Sequence, residues 1–234
     1  MTIGNLLLDA LPAADLASIM PQLEPLPLPF KMVIYEPNAR IDHVYFPTDG
    51  VVSMVSSMER GTVEVGTVGR EGMVGLPILL HAKSMPTRAF VQVAGNGMRL
   101  SATQLRDEMR ASPALERLLY RYAQALFDQV AQSAACNRLH TIEERCARWI
   151  LMTHDRVSTD TLALKQEFLA EMLGVHRPAV TLAAGALQRA GLITYSRGKI
   201  RVIDREALES ASCPCYAIAQ GAFERLRAMG AAAD

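Results

Sequence analysis

The segment that most constrains the fold lies at residues 166–188 and has the pattern of two short helices joined by a tight turn. Gly174 ends the first helix, and Pro178 suits the first turn of a second helix, where backbone N–H groups have no partner within the helix. Ala170 is small and lies where the two helices would cross. Apolar residues mark the inward faces, namely Phe168, Leu169, Met172 and Leu173 in the first helix and Val180, Ala183, Ala184 and Leu187 in the second.

A short β-hairpin is predicted directly after these helices, with strands at residues 192–195 and 199–203 and a glycine-containing turn at 196–198. A helix-turn-helix followed by such a hairpin is a winged helix, and the basic residues of this hairpin suit contacts with phosphate. An ordinary pair of packed helices is the alternative, because it shows similar apolar spacing. The small residue, the glycine four positions later and the apolar residue six beyond it favour DNA binding.

The distribution of charge agrees with a nucleic-acid partner, although the formal net charge of the whole chain is zero. Residues 138–205 contain 11 Lys or Arg against 7 Asp or Glu, a balance of +4, whereas residues 1–137 contain 11 against 13, a balance of −2. The positive charge therefore accompanies the predicted helix-turn-helix, as binding to the phosphate backbone requires.

The N-terminal part of the chain has the texture of a β domain, which together with the helices predicts an α+β protein. Short segments rich in β-branched and aromatic residues alternate with turn residues, and this regular spacing is typical of an antiparallel sandwich or jelly roll. We expect this jelly-roll domain to occupy residues 1–110. The predicted strands are 33–35, 44–46, 51–55, 62–68 and 89–93, and residues 95–97 are expected to form a turn.

A long helix is predicted at residues 111–137, after a shorter one that begins near Ser101. Ser112 and Pro113 suit its N-terminus, and its apolar seam is close to a heptad repeat. We expect two copies of the chain to bury this seam in a dimer; the alternative is that the helix simply packs on the sandwich. The predicted dimer contacts are Leu115, Leu119, Tyr122, Leu126 and Ser133.

A hinge is predicted at residues 137–140, followed by a capping box at residues 141–144. The winged helix-turn-helix domain, with a helical C-terminal tail from Glu206, is then expected to occupy residues 138–234.

The four cysteines predict neither a metal site nor a disulfide. Cys213 and Cys215 are separated by a single proline, which is not the spacing of a zinc knuckle, and no histidine cluster lies near them in the sequence. We therefore expect reduced structural thiols, no metal and no evident cofactor. The N-terminus does not have the pattern of a signal peptide and no apolar run is long enough to span a bilayer, so a cytoplasmic protein with no membrane partner is expected.

The order of a jelly roll, a long helix and a C-terminal winged helix resembles the cyclic-AMP receptor protein and fumarate-nitrate regulator (Crp/Fnr) family of bacterial transcription factors. The resemblance is strongest at residues 169–180 and 191–195 and extends to residues 41–50 of the β domain. It implies a homodimer bound to double-stranded DNA at two-fold sites, a small effector in the jelly roll, and RNA polymerase as a further partner.

Carried onto this sequence, the resemblance implies that Arg177 is the arginine that recognises guanine, and Arg can donate two hydrogen bonds to guanine O6 and N7. Pro178 and Leu182 replace family residues that also form polar contacts with bases, so a different half-site is expected. His176, Thr181 and Gln188 are candidate additional contacts. The complete predicted DNA interface is Gln166, His176, Arg177, Pro178, Thr181, Gln188, Arg197 and Lys199.

The predicted effector site departs from the cyclic-nucleotide pattern of the family. Met73 stands where a glutamate would accept a hydrogen bond from the ribose, and Thr87 stands where an arginine would bind the cyclic phosphate, with Arg88 one position further along the strand. Cyclic AMP is therefore not expected, and the effector is unknown. The candidate effector-binding residues are Gly72, Met73, Val74, Gly75, Thr87 and Arg88.

Two alternative functions make different demands on the sequence. A cupin-type enzyme needs clustered histidines on adjacent strands, but the five histidines are widely separated in the sequence, so we expect no enzymatic activity. A DNA-binding protein whose sandwich is purely structural is the other alternative, and the sequence does not distinguish it from an effector-controlled regulator.

Overall fold

Two antiparallel sheets form the N-terminal part of the computed structural model, which describes residues 2–59 and 61–231. One sheet has the order β1-β7-β3 and the other the order β2-β6-β4-β5. The helix α1 (Ala13–Ile19) precedes them. The strands are β1 (Glu24–Leu28), β2 (Val33–Tyr35), β3 (His43–Pro47), β4 (Val51–Met58), β5 (Gly61–Val68), β6 (Arg88–Val93) and β7 (Gly95–Ser101).

Apolar side chains from both sheets meet in one core. Phe46 and Leu100 from the first sheet and Val52 and Val91 from the second are all buried there. The five segments predicted as strands coincide with β2 to β6. The sandwich therefore arises from the alternation of β-branched residues and turns that the sequence displays.

The turn expected at residues 95–97 is wrong, because these residues begin the central strand β7. A side chain at Gly97 would place its Cβ only 3.0 Å from the carbonyl oxygen of Phe46 and 3.1 Å from Leu28. Glycine at this position therefore allows β7 to lie close to its neighbouring strands, and it does not form a turn. The proline-containing β1 lies at the edge of its sheet, where prolines are tolerated.

Three helices follow the sandwich: α2 (Ala102–Ala111), α3 (Pro113–Leu139) and α4 (Ile142–His154). Ser112 caps α3 by accepting a hydrogen bond from the Leu115 N–H at 3.0 Å. At the start of α4, the Thr141 and Glu144 side chains each accept a hydrogen bond from the other's backbone N–H, as the predicted capping box requires. Only His140 and Thr141 separate the two helices.

The dimer contacts predicted on α3 lie on the wrong face of the helix, because the chain's own sandwich already covers that face. Leu119 and Tyr122 are completely buried within the single chain, and the Tyr122 hydroxyl donates a hydrogen bond of 2.7 Å to the Met73 carbonyl. The alternative that this face packs on the sandwich is the one that the structure supports. All five predicted seam residues are buried in the chain's own interior, namely Leu115, Leu119, Tyr122, Leu126 and Ser133.

The C-terminal part contains a three-stranded sheet of order β8-β10-β9 and four helices. The strand β8 was not predicted, and the expected single C-terminal helix is two helices. The last helix returns to pack on α3, and its Phe223 and Leu226 join the core of the sandwich. The elements are β8 (Thr161–Ala163), α5 (Gln166–Leu173), α6 (Arg177–Arg189), β9 (Ile193–Ser196), β10 (Lys199–Val202), α7 (Arg205–Ser210) and α8 (Cys215–Ala231).

Within the part of the chain that the structure describes, no helix is both long enough and apolar enough to span a bilayer.

Candidate nucleic-acid interface

The helix-turn-helix consists of α5 and α6, with its turn at Gly174. Gly174 adopts the left-handed conformation at φ 63°, and the Val175 N–H donates a hydrogen bond of 3.0 Å to the Ala170 carbonyl, which closes the end of α5. Ala170 and Val180 are buried at the contact between the two helices. The small residue, the glycine and the apolar residue therefore have the structural roles that their spacing predicts.

The N-terminal half of α6 presents polar side chains to solvent. The Arg177 side chain is 61% exposed, and its guanidinium lies 3.1 Å from the Glu167 carboxylate on α5. The Thr181 hydroxyl donates a hydrogen bond of 2.9 Å to Gln166 Oε1. Because an ion pair between exposed side chains contributes at most about 1 kcal/mol, Arg177 can leave Glu167 for a base at little cost.

Pro178 lies in the first turn of α6 and is exposed, while His176 occupies the position before the helix. His176 also lines a cleft between the helix-turn-helix and the β4–β5 hairpin, in which a Cβ at Gly174 would lie 3.0 Å from Val63. The start of α6 thus lies close to the sandwich as well as to solvent.

Gln188, near the other end of α6, is held by the wing. Its Oε1 accepts a hydrogen bond of 2.7 Å from the Tyr195 backbone N–H. This carbonyl oxygen is therefore engaged in orienting β9 relative to α6, and only the amide nitrogen of Gln188 is left for a base.

The wing is the β9–β10 hairpin, with a two-residue turn at Arg197 and Gly198. Both residues have positive φ, 49° and 73°, which is the conformation of a type I′ turn. Arg197 is exposed at the tip, and Lys199 is exposed at the first position of β10. The turn thus places two cations next to each other at the end of the hairpin.

A cleft joins α5, α6 and the wing. It is lined by Gln166, Arg177 and Arg197, which belong to the DNA interface predicted from the sequence. Lys165 also lines it and was not predicted. Lys165 directly precedes α5, and a positive charge at that position is the sequence signal that could have identified it as a phosphate contact. The lining brings three positively charged side chains together with the Glu167 carboxylate, and its net positive charge suits a phosphate backbone.

A buried ion pair connects this domain to the sandwich. Arg156, which follows α4, lies 2.8 Å from Glu71 in the loop after β5, and both side chains are nearly inaccessible to solvent. A Cβ at Gly69 would overlap the Arg156 side chain, so the loop and Arg156 fit closely. The pair is not evident from the sequence, because its two members are 85 positions apart along the chain.

A second polar contact between the domains is formed by Glu64 on β5. Trp149 on α4 donates a hydrogen bond of 2.9 Å from its indole N–H to the Glu64 carboxylate, which also accepts one from Ser53. Burial raises the pKa of Glu64 to about 7, and the two hydrogen bonds oppose that rise. The protonation state of this carboxyl therefore changes near neutral pH.

The candidate effector residues lie partly in the core and partly at the surface. Met73 and Val74 are buried, and a Cβ at Gly72 would lie 2.4 Å from the Tyr122 ring, so helix α3 fills the space beside this loop. The Arg88 side chain is 40% exposed and lies 3.2 Å from Glu36 at the surface. Of the remaining candidates, the structure places Gly75 directly before a short helix at residues 76–80 and buries Thr87.

The cysteines are the other place where the structure departs from the sequence analysis. Cys136, Cys213 and Cys215 are buried together beside His140, although 77 residues separate the first two in the sequence. The expectation of no metal site depended on distance along the chain, and the return of α8 onto α3 removes that distance.

Comparison with known proteins identifies residues 144–211 as similar to the Crp-like helix-turn-helix domain. FixK2 from Bradyrhizobium japonicum has a similar structure, with a TM-score of 0.70, 16% sequence identity, and coverage of 82% of this chain and 98% of that one. No curated protein matches the chain.

Two further solved structures are similar. A putative transcriptional regulator of the Crp/Fnr family from Eubacterium rectale has a TM-score of 0.67 and 19% identity, covering 88% of this chain and 96% of that one. The c-di-GMP responsive global regulator CLP from Xanthomonas campestris has a TM-score of 0.62 and 16% identity, covering 82% of this chain and 99% of that one. The shared features are the β-rich domain, the long helix and the helix-turn-helix with its wing strands.

Proposed function

We propose that this chain is a DNA-binding transcription regulator of the Crp/Fnr family, whose members are regulators and not enzymes, and that it binds two-fold DNA sites as a homodimer; the similarity of residues 144–211 to the Crp-like helix-turn-helix domain supports this. Each subunit places α6 in the major groove of one half-site and the wing along the adjacent phosphates. The observation that carries the proposal is the exposed N-terminus of α6, with Arg177 beside a basic cleft and the wing.

Arg177 is proposed to recognise guanine, with Thr181 and Gln166 as neighbouring polar contacts. Pro178 has no side-chain donor, and Leu182 is exposed and apolar, so the second can contact only an apolar group such as the thymine methyl. These two residues support a half-site that differs from that of family members with polar side chains at both positions. Arg197 and Lys199 are proposed to contact phosphate.

Substitution of Arg177 by alanine tests the assignment of α6. We expect Arg177→Ala to weaken binding to the specific site by about 1–3 kcal/mol and to relax the preference at one base pair of each half-site. The measurement is a mobility-shift titration with the selected operator and with single-base variants of it. Lys199→Ala should instead weaken binding to every sequence and reduce the dependence on salt.

Arg40→Ala is the matched control, because Arg40 is also an exposed arginine in a surface ion pair, with Asp42, but lies on the β domain. Its operator affinity should equal that of the wild type. An Arg177→Ala protein that binds the operator like the Arg40→Ala protein would show that another element recognises the bases.

The dimer is proposed to form through the face of α3 that the single chain leaves exposed. Tyr120 and Phe127 are large and exposed on this face. Exposed residues on this face recur at alternating spacings of four and three, which is the pattern of a two-stranded coiled coil. In chain order the proposed seam is Tyr120, Gln124, Phe127, Ala131, Ala134 and Arg138.

The β domain is proposed to control DNA binding through the loop at residues 69–72. The support is the buried ion pair between Glu71 of this loop and Arg156, which joins the candidate effector region directly to the end of α4. Ordinary cyclic AMP is not the proposed effector, because Met73 and Arg88 do not offer the contacts it needs. RNA polymerase is a further proposed partner, by resemblance to the family.

A thermal-shift screen with cyclic mononucleotides and dinucleotides tests the effector proposal. A ligand that binds only the folded state raises the melting temperature, and the structural likeness to the c-di-GMP responsive regulator makes that dinucleotide the first compound to include. If no compound raises Tm and DNA binding is complete without any, the sandwich is a structural module, which is the alternative function.

A further inference from the structure

Four side chains with metal-binding atoms meet where α3 ends and α8 begins. Cys136 lies in the last turn of α3, and His140 follows the helix directly, with its backbone N–H donating a hydrogen bond of 3.2 Å to the Cys136 carbonyl. Cys213 and Cys215 flank the proline at the start of α8. The sulfurs of Cys136 and Cys213 are 3.4 Å apart, Cys215 Sγ is 3.4 Å from His140 Nδ1, and all four ligand atoms lie within 4.8 Å of one another.

We propose that Cys136, His140, Cys213 and Cys215 bind one zinc ion as a Cys₃His site. In a tetrahedral site with Zn–S of about 2.3 Å and Zn–N of about 2.0 Å, neighbouring sulfurs are about 3.8 Å apart and sulfur and nitrogen about 3.5 Å apart. The two observed separations of 3.4 Å differ from these values by only a few tenths of an ångström, and the other pairs, all within 4.8 Å, would close by at most about 1 Å. Three thiolates and one imidazole are the ligands that favour zinc over harder cations.

The surroundings favour an anionic metal complex. Gln132 donates a hydrogen bond of 3.0 Å to Cys215 Sγ, as residues around metal ligands commonly do. Arg145 and Arg148 are buried on α4, and Arg148 Nη1 donates a hydrogen bond of 3.4 Å to the hydroxyl of Ser133, three residues before Cys136. Among the described residues, neither arginine has a carboxylate within salt-bridge distance, and three thiolates with one zinc ion would supply a net negative charge.

Two simpler explanations account for less of the geometry. Packing of three reduced thiols explains their burial but not the convergence of His140 and Gln132 on the same sulfur. A disulfide between Cys136 and Cys213 would use two of the four groups and would leave Cys215 and His140 without a role. A zinc site uses all four ligand atoms.

The position of the site suggests its effect on the molecule. Its ligands lie on α3 and at the start of α8, and its histidine immediately precedes Thr141, the cap of α4. A bound zinc would therefore fix the end of α3 and restrain the short connection to the helix-turn-helix domain. The metal site itself is independent of the proposed DNA-binding function, and it can be tested without DNA.

Metal content of the full-length protein is the direct test. We expect on the order of one zinc ion per chain by inductively coupled plasma mass spectrometry after purification under reducing conditions without chelators. Cys213→Ala should lower zinc retention at least about tenfold. Cys146→Ala is the matched control, because Cys146 is equally buried but lies in the core of the C-terminal domain, away from the cluster, and it should retain the zinc of the wild type.

A second measurement does not depend on the folding of any variant. Wild-type protein stripped of metal and titrated with Co²⁺ should develop thiolate-to-cobalt charge-transfer absorption together with the visible bands of tetrahedral cobalt, and added Zn²⁺ should abolish both. Zn²⁺ should also raise the Tm of the stripped protein.

Three results would overturn the proposal. The first is wild-type protein that takes up neither zinc nor cobalt while its thiols are reduced. The second is equal loss of zinc from the Cys213→Ala and Cys146→Ala proteins when both melt cooperatively. The third is an intact mass two hydrogens lighter in freshly purified unreduced protein, with a Cys136–Cys213 crosslink in the peptide map and no bound metal.

Discussion

The two faces of α3 carry different residues and have different partners. One face presents Leu115, Leu119 and Tyr122 to the sandwich, and these side chains are buried within the single chain. The opposite face leaves Tyr120 and Phe127 in solvent, with smaller and polar residues between them. The more apolar face is thus the one that stabilises the fold, while the less apolar face is left exposed and is the proposed contact between copies of the chain.

The buried face also changes character along the helix. Near its start it is apolar, but from Gln129 onward it is polar, and Gln129 Nε2 donates a hydrogen bond of 3.0 Å to the Thr67 carbonyl on β5. Ser133 follows one turn later and Cys136 comes after it. The same helix therefore contributes to the sandwich core, to the polar contact between domains and to the thiol cluster in turn.

The largest expected effect comes from the apolar end of the buried face. Leu119→Ala should lower the free energy of unfolding by about 2–5 kcal/mol, because it leaves a cavity in a fully packed core. Urea denaturation at fixed protein concentration measures it. If Leu119→Ala instead yields a stable monomer with unchanged unfolding, then the buried face is the dimer seam after all.

The exposed face is expected to respond in the opposite way. Phe127→Glu should leave each subunit folded but weaken the dimer by at least about tenfold, because each seam residue of a parallel two-helix coil meets its own copy and two carboxylates would repel. Sedimentation velocity over a range of concentrations measures the dissociation. Arg121→Gln changes the charge of an exposed residue on the same helix, about 100° around the helix axis from this seam, and should not alter the dimer; equal effects of the two changes would contradict the proposed interface.

The smallest effect on stability is expected at the polar contact between the two domains, where Glu64 accepts a hydrogen bond from Trp149. The pKa of Glu64 is raised to about 7 by burial, so the folded state binds a proton more tightly than the unfolded state, whose pKa is near the ordinary value. This contribution to stability is complete below the unfolded pKa and is lost as pH rises through about 7.

Glu64→Gln retains an acceptor for the Trp149 N–H and removes the titration. The stability of the wild type relative to this variant should therefore fall by about 1–2 kcal/mol between acidic and mildly alkaline pH, after allowance for solvent screening. Thermal unfolding across that range measures it, with exposed Glu171→Gln as the control. If the stability of the wild type and of Glu64→Gln changed with pH in the same way, the titrating group would be one other than Glu64.

Sequence patterns were most successful where the physical cause is local. Gly174, with its left-handed backbone, and the capping box at Thr141 each depend on residues within one or two turns, and both are found as predicted. The type I′ turn at Arg197 and Gly198 belongs to the same class. Such features arise from backbone conformation and from hydrogen bonds between near neighbours, which the sequence displays directly.

Predictions that required knowledge of a packing partner were less successful. A heptad pattern identifies an apolar face of α3 but does not say whether a sandwich or a second subunit will cover it. Gly97 was interpreted as a turn residue because a neighbouring strand that leaves no room for a Cβ is invisible in the sequence. Arg88 was expected one position away from the phosphate-binding one along its strand, and its side chain lies 3.2 Å from Glu36 at the surface.

The sequence by itself determined the order of the parts, the helix-turn-helix with its wing and the position of Arg177, because turn chemistry, caps and helical periodicity act over a few residues. The tertiary structure alone decided which face of α3 remains exposed, that Glu71 meets Arg156, and that His140 joins three cysteines. Each of these depends on where distant segments return in space, and for the cysteines it is the docking of α8 on α3 that brings the ligands together.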